Sequence, residues 1–481
     1  MVDSHRKLIF SSYSIFSVVC YITFYYTSGD FIAESLILFG TQLVLFFIFG
    51  WNSARGIFKN LINPSYIALI GLIIVNFQNV INVFMGYGNP SDFSVTFVSN
   101  DIFFRSSYLS FIGTSIYIFT IYIYNPSFSK TGIKKRKYNN KIWIVMIILA
   151  FVGFIATADI GRIISGAAYA DDIATTTLDM YFEGLLKSSI VIYISLNVLN
   201  KRSDVTKINL LEYIKSFSWA FWVIVSFYLL IRFVSGDRGP VIYTILLILY
   251  SYLYLTGKKL TTITILCGGL LAAFVITIIG IARMEAMRAS FGERVTDAID
   301  SINGSNSGQN SISPYSQELA NSSKCIWIAM GAHDNHVIDY QYGRYTFFNI
   351  VHAIPFAGTF LKNFVGLNWN NVSSSSFITK EGLGPNATYG LGTSAVADFY
   401  LEFGLLGVIL GFISAGIMFK YIDTILYFRP KVSATLLIFS LQVASIAIYF
   451  SRYSLSGCIN QGLICVVFFW IFNSLISIRI K

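Results

Sequence analysis

Twelve apolar runs, most of them close to 20 residues long, dominate this chain. They fall at roughly 8–28, 31–50, 63–85, 103–124, 141–158, 180–199, 216–234, 239–256, 260–281, 396–419, 432–450 and 456–478. A bilayer core about 30 Å thick takes about 20 apolar residues as helix. Within lipid, only helices and closed barrels satisfy every backbone N–H and C=O. The runs therefore predict an all-α polytopic membrane protein with about 12 transmembrane helices. Composition agrees, with 55% hydrophobic and only 12% charged residues. That charge content is about half that of a soluble domain, so disorder and ordinary soluble domains are excluded. The first run is long and has no small-residue cleavage site, so no signal peptide is expected. Five cysteines, four of them in or beside apolar runs, exclude a disulfide framework. Cys325 alone lies in a polar region, with no evident partner.

Twelve spans put both termini on one side, and the Lys/Arg bias of the short loops selects the cytoplasm for them. With that orientation the cytoplasmic segments hold 21 of the 34 basic residues, including the cluster Lys130, Lys134, Lys135, Arg136, Lys137 and Lys141. That cluster fits anionic lipid of the inner leaflet better than nucleic acid. The connection between spans nine and ten is far too long for a tight loop. Three segments result: 1–281 with nine spans, an outer loop at 282–395 and 396–481 with three spans. The loop is not uniformly polar. Cys325–Met330 and Thr346–Leu367 are apolar, and the second, broken by Pro355 and Gly358, is amphipathic enough to lie on or dip into the membrane surface. A small folded cap is expected.

The other 13 basic residues are nine Arg (105, 162, 232, 238, 283, 288, 294, 344 and 452) and four Lys, whereas the cytoplasmic set has 15 Lys and 6 Arg. Topology needs only positive charge, so the outer bias toward Arg asks for a second reason. Arg offers a planar fork of donors that matches phosphate bidentately. Arg105, Arg162, Arg232, Arg238, Arg283, Arg288 and Arg452 lie near outer helix ends, at headgroup depth, where a lipid-linked diphosphate would sit, and all but Arg105 are the candidates to hold it. A buried cation costs about 2.5–3.5 kcal/mol at a helix centre and less at its edge. Each hydrogen bond to a charged partner returns about 1.5–3 kcal/mol, so two or three Arg on one diphosphate offset their placement. The alternative is that these side chains snorkel to headgroups.

The sharpest local signal is Ser235-Gly236-Asp237-Arg238-Gly239-Pro240, a tight outer turn between two apolar runs. Gly236 and Gly239 permit close backbone approach. Pro240 suits the first turn of a helix whose free N–H groups favour an anion. Arg238 is then aimed at that anion, with Asp237 available to orient it. The plainer alternative is a hairpin turn with an internal ion pair.

Phe233-Val234-Ser235-Gly236-Asp237-Arg238-Gly239-Pro240, followed by a Leu/Ile/Tyr-rich run, resembles the Gly-x-Arg-Gly-Pro turn of Wzy-type oligosaccharide repeat-unit polymerases, the O-antigen polymerase family. Gly392-Thr393-Ser394 with Asp398-Phe399-Tyr400-Leu401-Glu402-Phe403-Gly404-Leu405-Leu406-Gly407 resembles the segment after that family's large periplasmic loop. The resemblance implies a multi-spanning lipid-sugar glycosyltransferase of the bacterial inner membrane, serving lipopolysaccharide or a related surface polysaccharide. Its donor and acceptor are oligosaccharides on a polyprenyl diphosphate such as undecaprenyl diphosphate. The growing glycan passes en bloc to a new lipid-linked unit. The resemblance implies no nucleotide sugar and no tightly bound metal, and it implies a separate chain-length regulator as partner; no cofactor and no nucleic acid are expected. Two alternatives remain: an O-antigen ligase with a different acceptor, and a lipid-linked oligosaccharide flippase, for which the long outer loop is unexpected.

Three residues are candidates for accepting the proton of an attacking hydroxyl. His352, in an apolar loop segment, is kept neutral by desolvation, or is simply packed. Asp398 and Glu402, four residues apart, share a helix face. They are either a base with its orienting partner or counter-ions to the Arg set. Glu183 and Lys187 read first as an intrahelical pair. His333 and His336 lack a third strong ligand nearby in sequence, so no metal is expected.

Overall fold

The computed structural model describes residues 2–51, 60–86, 99–127, 138–160, 177–201, 208–235, 237–257, 321–355, 357, 360–361, 373–384, 387, 390–428 and 430–479. Among these residues every regular element is helical. In chain order the helices are α1 (Val2–Thr27), α2 (Ile32–Trp51), α3 (Pro64–Phe84), α4 (Asn100–Ile123), α5 (Asn140–Thr157), α6 (Thr177–Lys201), α7 (Leu210–Lys215) and α8 (Trp219–Val234). They continue with α9 (Gly239–Thr256), α10 (Lys324–Asp334), α11 (Arg344–Val351), α12 (Ser374–Leu383), α13 (Ala395–Phe428), α14 (Ala434–Ser445) and α15 (Leu455–Arg479). Nine of them (α1 to α6, α9, α13 and α15) are long and apolar enough to cross a membrane. The protein is thus an all-α polytopic membrane protein. The runs expected at 216–234 and 432–450 form shorter helices of 16 and 12 residues, α8 and α14. The run at 260–281 lies outside the described residues.

Small polar residues start many of these helices, because the first N–H groups of a helix have no partner in the helix itself. Ser99, Ser218, Ser373 and Ser433 each accept a backbone N–H of the first turn of α4, α8, α12 and α14. Pro64 opens α3, where a missing N–H costs nothing. Gly257, left-handed at φ 67°, closes α9.

The chain forms two compact units that cut across the chain-order segments expected above. The first comprises Met1–Ser127, Gly308–Thr424 and Ala447–Asn460. The second comprises Phe128–Ser307, Ile425–Ile446 and Gln461–Lys481.

In the first unit α4 is buried on nearly every side and acts as the central post. Rings interlock around it: Tyr21 stacks on Phe111 at 5.3 Å, and Phe77 meets Phe111 at 4.7 Å. Gln42 of α2 donates to Ser14 Oγ of α1 and to the Ser115 carbonyl of α4, at 3.0 and 3.2 Å. Such polar contacts, with small residues at crossings, hold helices together where lipid supplies no hydrophobic drive. Gly113 admits the Phe412 ring of α13, which a Cβ there would meet at 2.4 Å. At the other end of α13, Asp423 is fully buried. It accepts the Ser65 N–H at 3.1 Å and the Ser65 hydroxyl, and so holds the first turn of α3.

In the second unit α5 packs along α6, with Phe182 lying over Gly153. Tyr213 of α7 shares a 2.7 Å hydrogen bond with Ser251 of α9, and Trp143 of α5 stacks on Phe469 of α15 at 6.2 Å.

One crossing sets a testable limit. A Cβ at Gly71 would lie 2.5 Å from the Ile448 carbonyl oxygen. A backbone oxygen cannot rotate away as a flexible side chain can. Gly71→Val is expected to destabilise the purified protein by about 1–3 kcal/mol, the usual cost of overpacking. A lowered melting temperature in detergent checks this, and an unchanged one contradicts the crossing.

Candidate functional site

The apolar stretch at 325–330, expected to belong to a loop, forms α10. Cys325 through Ala332 are buried on all sides of this helix. A short helix that is apolar all round requires neighbours on every face. Trp327 meets Phe103 of α4 at 5.8 Å, and Ile328 lies where Gly382 lets α12 approach. Cys325 is therefore buried rather than set in polar surroundings, and burial pushes its thiol up to about 12. It is inert at neutral pH.

The stretch Gly392–Gly407 builds the next layer. Ser394 starts α13 by accepting the Ala397 N–H at 3.2 Å. The helix then breaks at Phe403 (φ −145°, ψ 23°) and Gly404 (φ 62°, ψ −143°) before resuming. Gly404 takes a conformation closed to L side chains, and Tyr340 occupies the space of a Cβ at 2.8 Å. Two carbonyls near the break bond to another segment: Leu401 and Glu402 accept the N–H groups of Gln341 and Tyr342 at 2.8 and 2.9 Å.

The Glu402 carboxylate completes this joint. Its two oxygens accept the N–H of Gly343 and of Thr346, each at 2.6 Å. These are orphan donors at the start of α11, where a carboxylate also matches the helix dipole. Asp398, one turn earlier, accepts the hydroxyl of Ser374, the first residue of α12, at 2.5 Å. Asp398 and Glu402 are only 1% and 3% exposed. They do share a helix face, but they serve different neighbours. One anchors α12 and the other α11, and neither is open to a sugar hydroxyl. The geometry gives them mounting roles in place of the base-and-partner arrangement considered above.

His352, the third candidate, follows α11 directly as its C-cap and is exposed. Surrounding protein still desolvates the ring enough to hold its pKa below the ordinary histidine value. Asn349, one turn earlier, ties α11 down again. It donates to Ser454 and Ser456 at 3.3 and 3.0 Å, and its carbonyl accepts from Asn460 at 2.6 Å. Arg452 stands two residues before that joint and donates through Nε to Ser322 at 2.8 Å. Arg105, in the same unit, is held by Asp334 at 2.7 Å and lies over the Tyr25 ring at 5.2 Å.

The second unit carries the turn 235–240, of which Gly236 lies outside the described residues. Arg238 is the N-cap residue of α9, with Gly239 and Pro240 as its first two residues. Asp237 accepts the Gly239 N–H at 3.2 Å and lies 4.0 Å from Arg232. An ion contact within this hairpin runs from Asp237 back to Arg232. Arg232 itself is engaged by Glu183 at 2.5 Å and lies over the Phe154 ring at 5.5 Å. Glu183 also receives Lys187 at 2.9 Å and the Tyr228 hydroxyl at 2.8 Å. The expected pair is present, but its carboxylate bridges helices α6 and α8 as well, which takes Arg232 out of the anion-binding set. Arg162, Arg283 and Arg288 lie outside the described residues. Arg452 belongs to the first unit, and Arg232 and Arg238 to the second.

Sequence reasoning passed over Ser374 and the Tyr342–Arg344 corner. Gly343, left-handed at φ 87°, is the N-cap residue of α11, a position where glycine is accepted but is a weak marker of a helix start in sequence.

The joint at Glu402 makes a direct expectation. Hydrogen bonds to a charged group contribute about 1.5–3 kcal/mol each. Glu402→Ala should expose 341–351 to rapid amide hydrogen exchange while α4 stays protected. Glu402→Gln, which keeps one carbonyl acceptor, should fall between. Unchanged protection in the alanine variant would contradict the mounting role.

Comparison with protein-family models, with curated proteins and with solved structures finds no match for this chain.

Proposed function

We propose that the protein polymerises polyprenyl-diphosphate-linked oligosaccharide repeat units in the bacterial inner membrane, with both termini in the cytoplasm and the 282–395 segment in the periplasm. The observation that supports this most is the build of Gly392–Gly407, one of the two stretches that resemble the O-antigen polymerase family. Its buried carboxylates fix α11 and α12 onto a spanning helix, and α11 presents an exposed histidine at its end. A rigid mount for one titratable side chain beside a membrane span is what a transferase with a lipid-anchored substrate needs.

The reaction runs as follows. The His352 imidazole takes the proton of the acceptor sugar hydroxyl. The oxygen attacks the anomeric carbon of the donor glycan, the bond from that carbon to the diphosphate breaks, and polyprenyl diphosphate leaves. The departing charge needs preorganised cations. Arg452, in the same unit as His352, is one candidate; Arg238, Arg162, Arg283 and Arg288 are candidates from the sequence alone, and Arg232 is bound to Glu183.

Deleting the gene tests the assignment. A polymerase leaves surface lipid capped with one repeat unit, and complementation with Arg238→Lys reproduces that phenotype with normal protein levels. Uncapped lipid with polymer stranded on the carrier identifies a ligase instead. Single units trapped on the cytoplasmic face identify a flippase.

The base has its own signature. His352 works when neutral, and its pKa is lowered. Activity of the purified protein should therefore hold as pH falls through 6.5, the ordinary histidine value. It should then drop below that value as the imidazole gains a proton. His352→Gln should remove most activity together with that acid limb. A variant that retains wild-type rate and pH profile excludes this histidine.

A further inference from the structure

The outward face of α11 carries a stripe that no part of the proposed chemistry uses. Phe347 and Ile350 lie three residues apart, and Ile354 follows four residues later, just beyond the helix end. Phe347 and Ile350 share one helical face, Ile354 lies in the turn that follows, and all three are exposed, Phe347 by 58% and Ile354 by 57%. The opposite face is different in kind: Tyr345 and Phe348 are buried, and Asn349 is hydrogen bonded to the unit.

The stripe does not stand alone. Tyr342, 73% exposed, sets its ring edge-on to Phe403 at 6.0 Å. Phe403 and Leu406 are themselves exposed on α13. An exposed apolar strip on a spanning helix faces lipid. That strip is met by Tyr342, which stands two residues before α11. The break also falls at a telling depth. Helix 405–428 is about 36 Å long at 1.5 Å per residue, while the hydrocarbon core is about 30 Å thick. Phe403 and Tyr342 thus fall at the edge of the hydrocarbon, where tyrosine side chains collect.

Charge agrees with this placement. Arg344 opens α11, is exposed and forms no salt bridge among the described residues. Its guanidinium lies 5.9 Å from the Phe348 ring centroid. A cation at the rim of an apolar stripe matches the phosphate of a phospholipid headgroup.

We infer that α11 is an interfacial helix, seated in one leaflet with Phe347, Ile350 and Ile354 among the acyl chains and Arg344 on a phospholipid phosphate. Its N-terminus is held by Glu402, and its outer face is held by the bilayer. This inference does not depend on the proposed reaction.

Spin labels test it. Phe347→Cys, Ile350→Cys and Ile354→Cys are each labelled in a Cys20→Ser, Cys267→Ser background, with the full chain in phosphatidylethanolamine–phosphatidylglycerol vesicles. Cys325, Cys458 and Cys465 are buried. Each label should be reached by oxygen several-fold more readily, relative to a water-soluble nickel chelate, than a label at Asp339→Cys. Adding Arg344→Glu should shift the 347 label toward water. Aqueous accessibility at all three positions overturns the inference. So does exclusion of both reagents, which with spin–spin broadening would assign the face to a second copy. An unmoved 347 label in the Arg344→Glu chain would overturn the phosphate contact.

Discussion

The first unit depends on a carboxylate placed next to a broken helix. Breaking α13 at Phe403–Gly404 interrupts the regular hydrogen-bond ladder of a spanning helix and leaves backbone groups that need new partners. The loss is offset because the break brings Glu402 and two neighbouring carbonyls against the segment 341–346. That segment has its own deficit, the unsatisfied N–H groups that begin α11. Two deficits of opposite polarity meet and cancel, through four hydrogen bonds of 2.6 to 2.9 Å. Neither the break nor the helix start is economical alone. Gly404 is the residue that permits it, since any side chain there would be strained and would meet Tyr340.

The second unit solves a related problem with ions. Glu183, Lys187 and Arg232 lie at or near spanning segments, where a lone charge is costly. Glu183 receives two cations and a tyrosine hydroxyl, so both of its oxygens are engaged. A buried pair of this kind adds little net stability over apolar packing, but removing one member strands the other. It therefore fixes how α6 and α8 meet more than how strongly. Arg232 has become part of that geometry, and its planar group is shared between a carboxylate and an aromatic face.

Most of the spans were legible in the sequence because lipid leaves few choices: a run of about 20 apolar residues is a helix or it is not in the membrane. The runs at 216–234 and 432–450 gave helices shorter than their apolar lengths, since hydropathy does not register where Ser218 and Ser433 cap a helix or where Ser445 ends one. Periodicity also placed Asp398 and Glu402 on one face. What it could not supply was the identity of their partners, which come from 24 and up to 59 residues away in the chain. The arginine bias was equally visible and equally incomplete. Arg105 and Arg232 each answer to an acid, Asp334 and Glu183, that composition counts but cannot locate.

These assignments divide the charged residues by what surrounds them. Both oxygens of Glu402 hold backbone N–H groups, and Asp398 is buried and bonded to the Ser374 hydroxyl, so these two act through the helices they position. A guanidinium bound to a carboxylate resists exchange for phosphate, since the carboxylate left behind would be stranded in a poorly solvated place. Arg344 carries no such debt among the described residues, because its neighbour Phe348 offers a ring face and no charge. The same mount thus separates three tasks along one short helix. The N-terminal end is fixed to protein by Glu402, its outer stripe is left to the bilayer, and His352 at the C-terminal end stays exposed. A lipid-linked substrate moves in the plane of the membrane, so a titratable group carried on an interfacial helix would already be at the depth of the substrate's polar head.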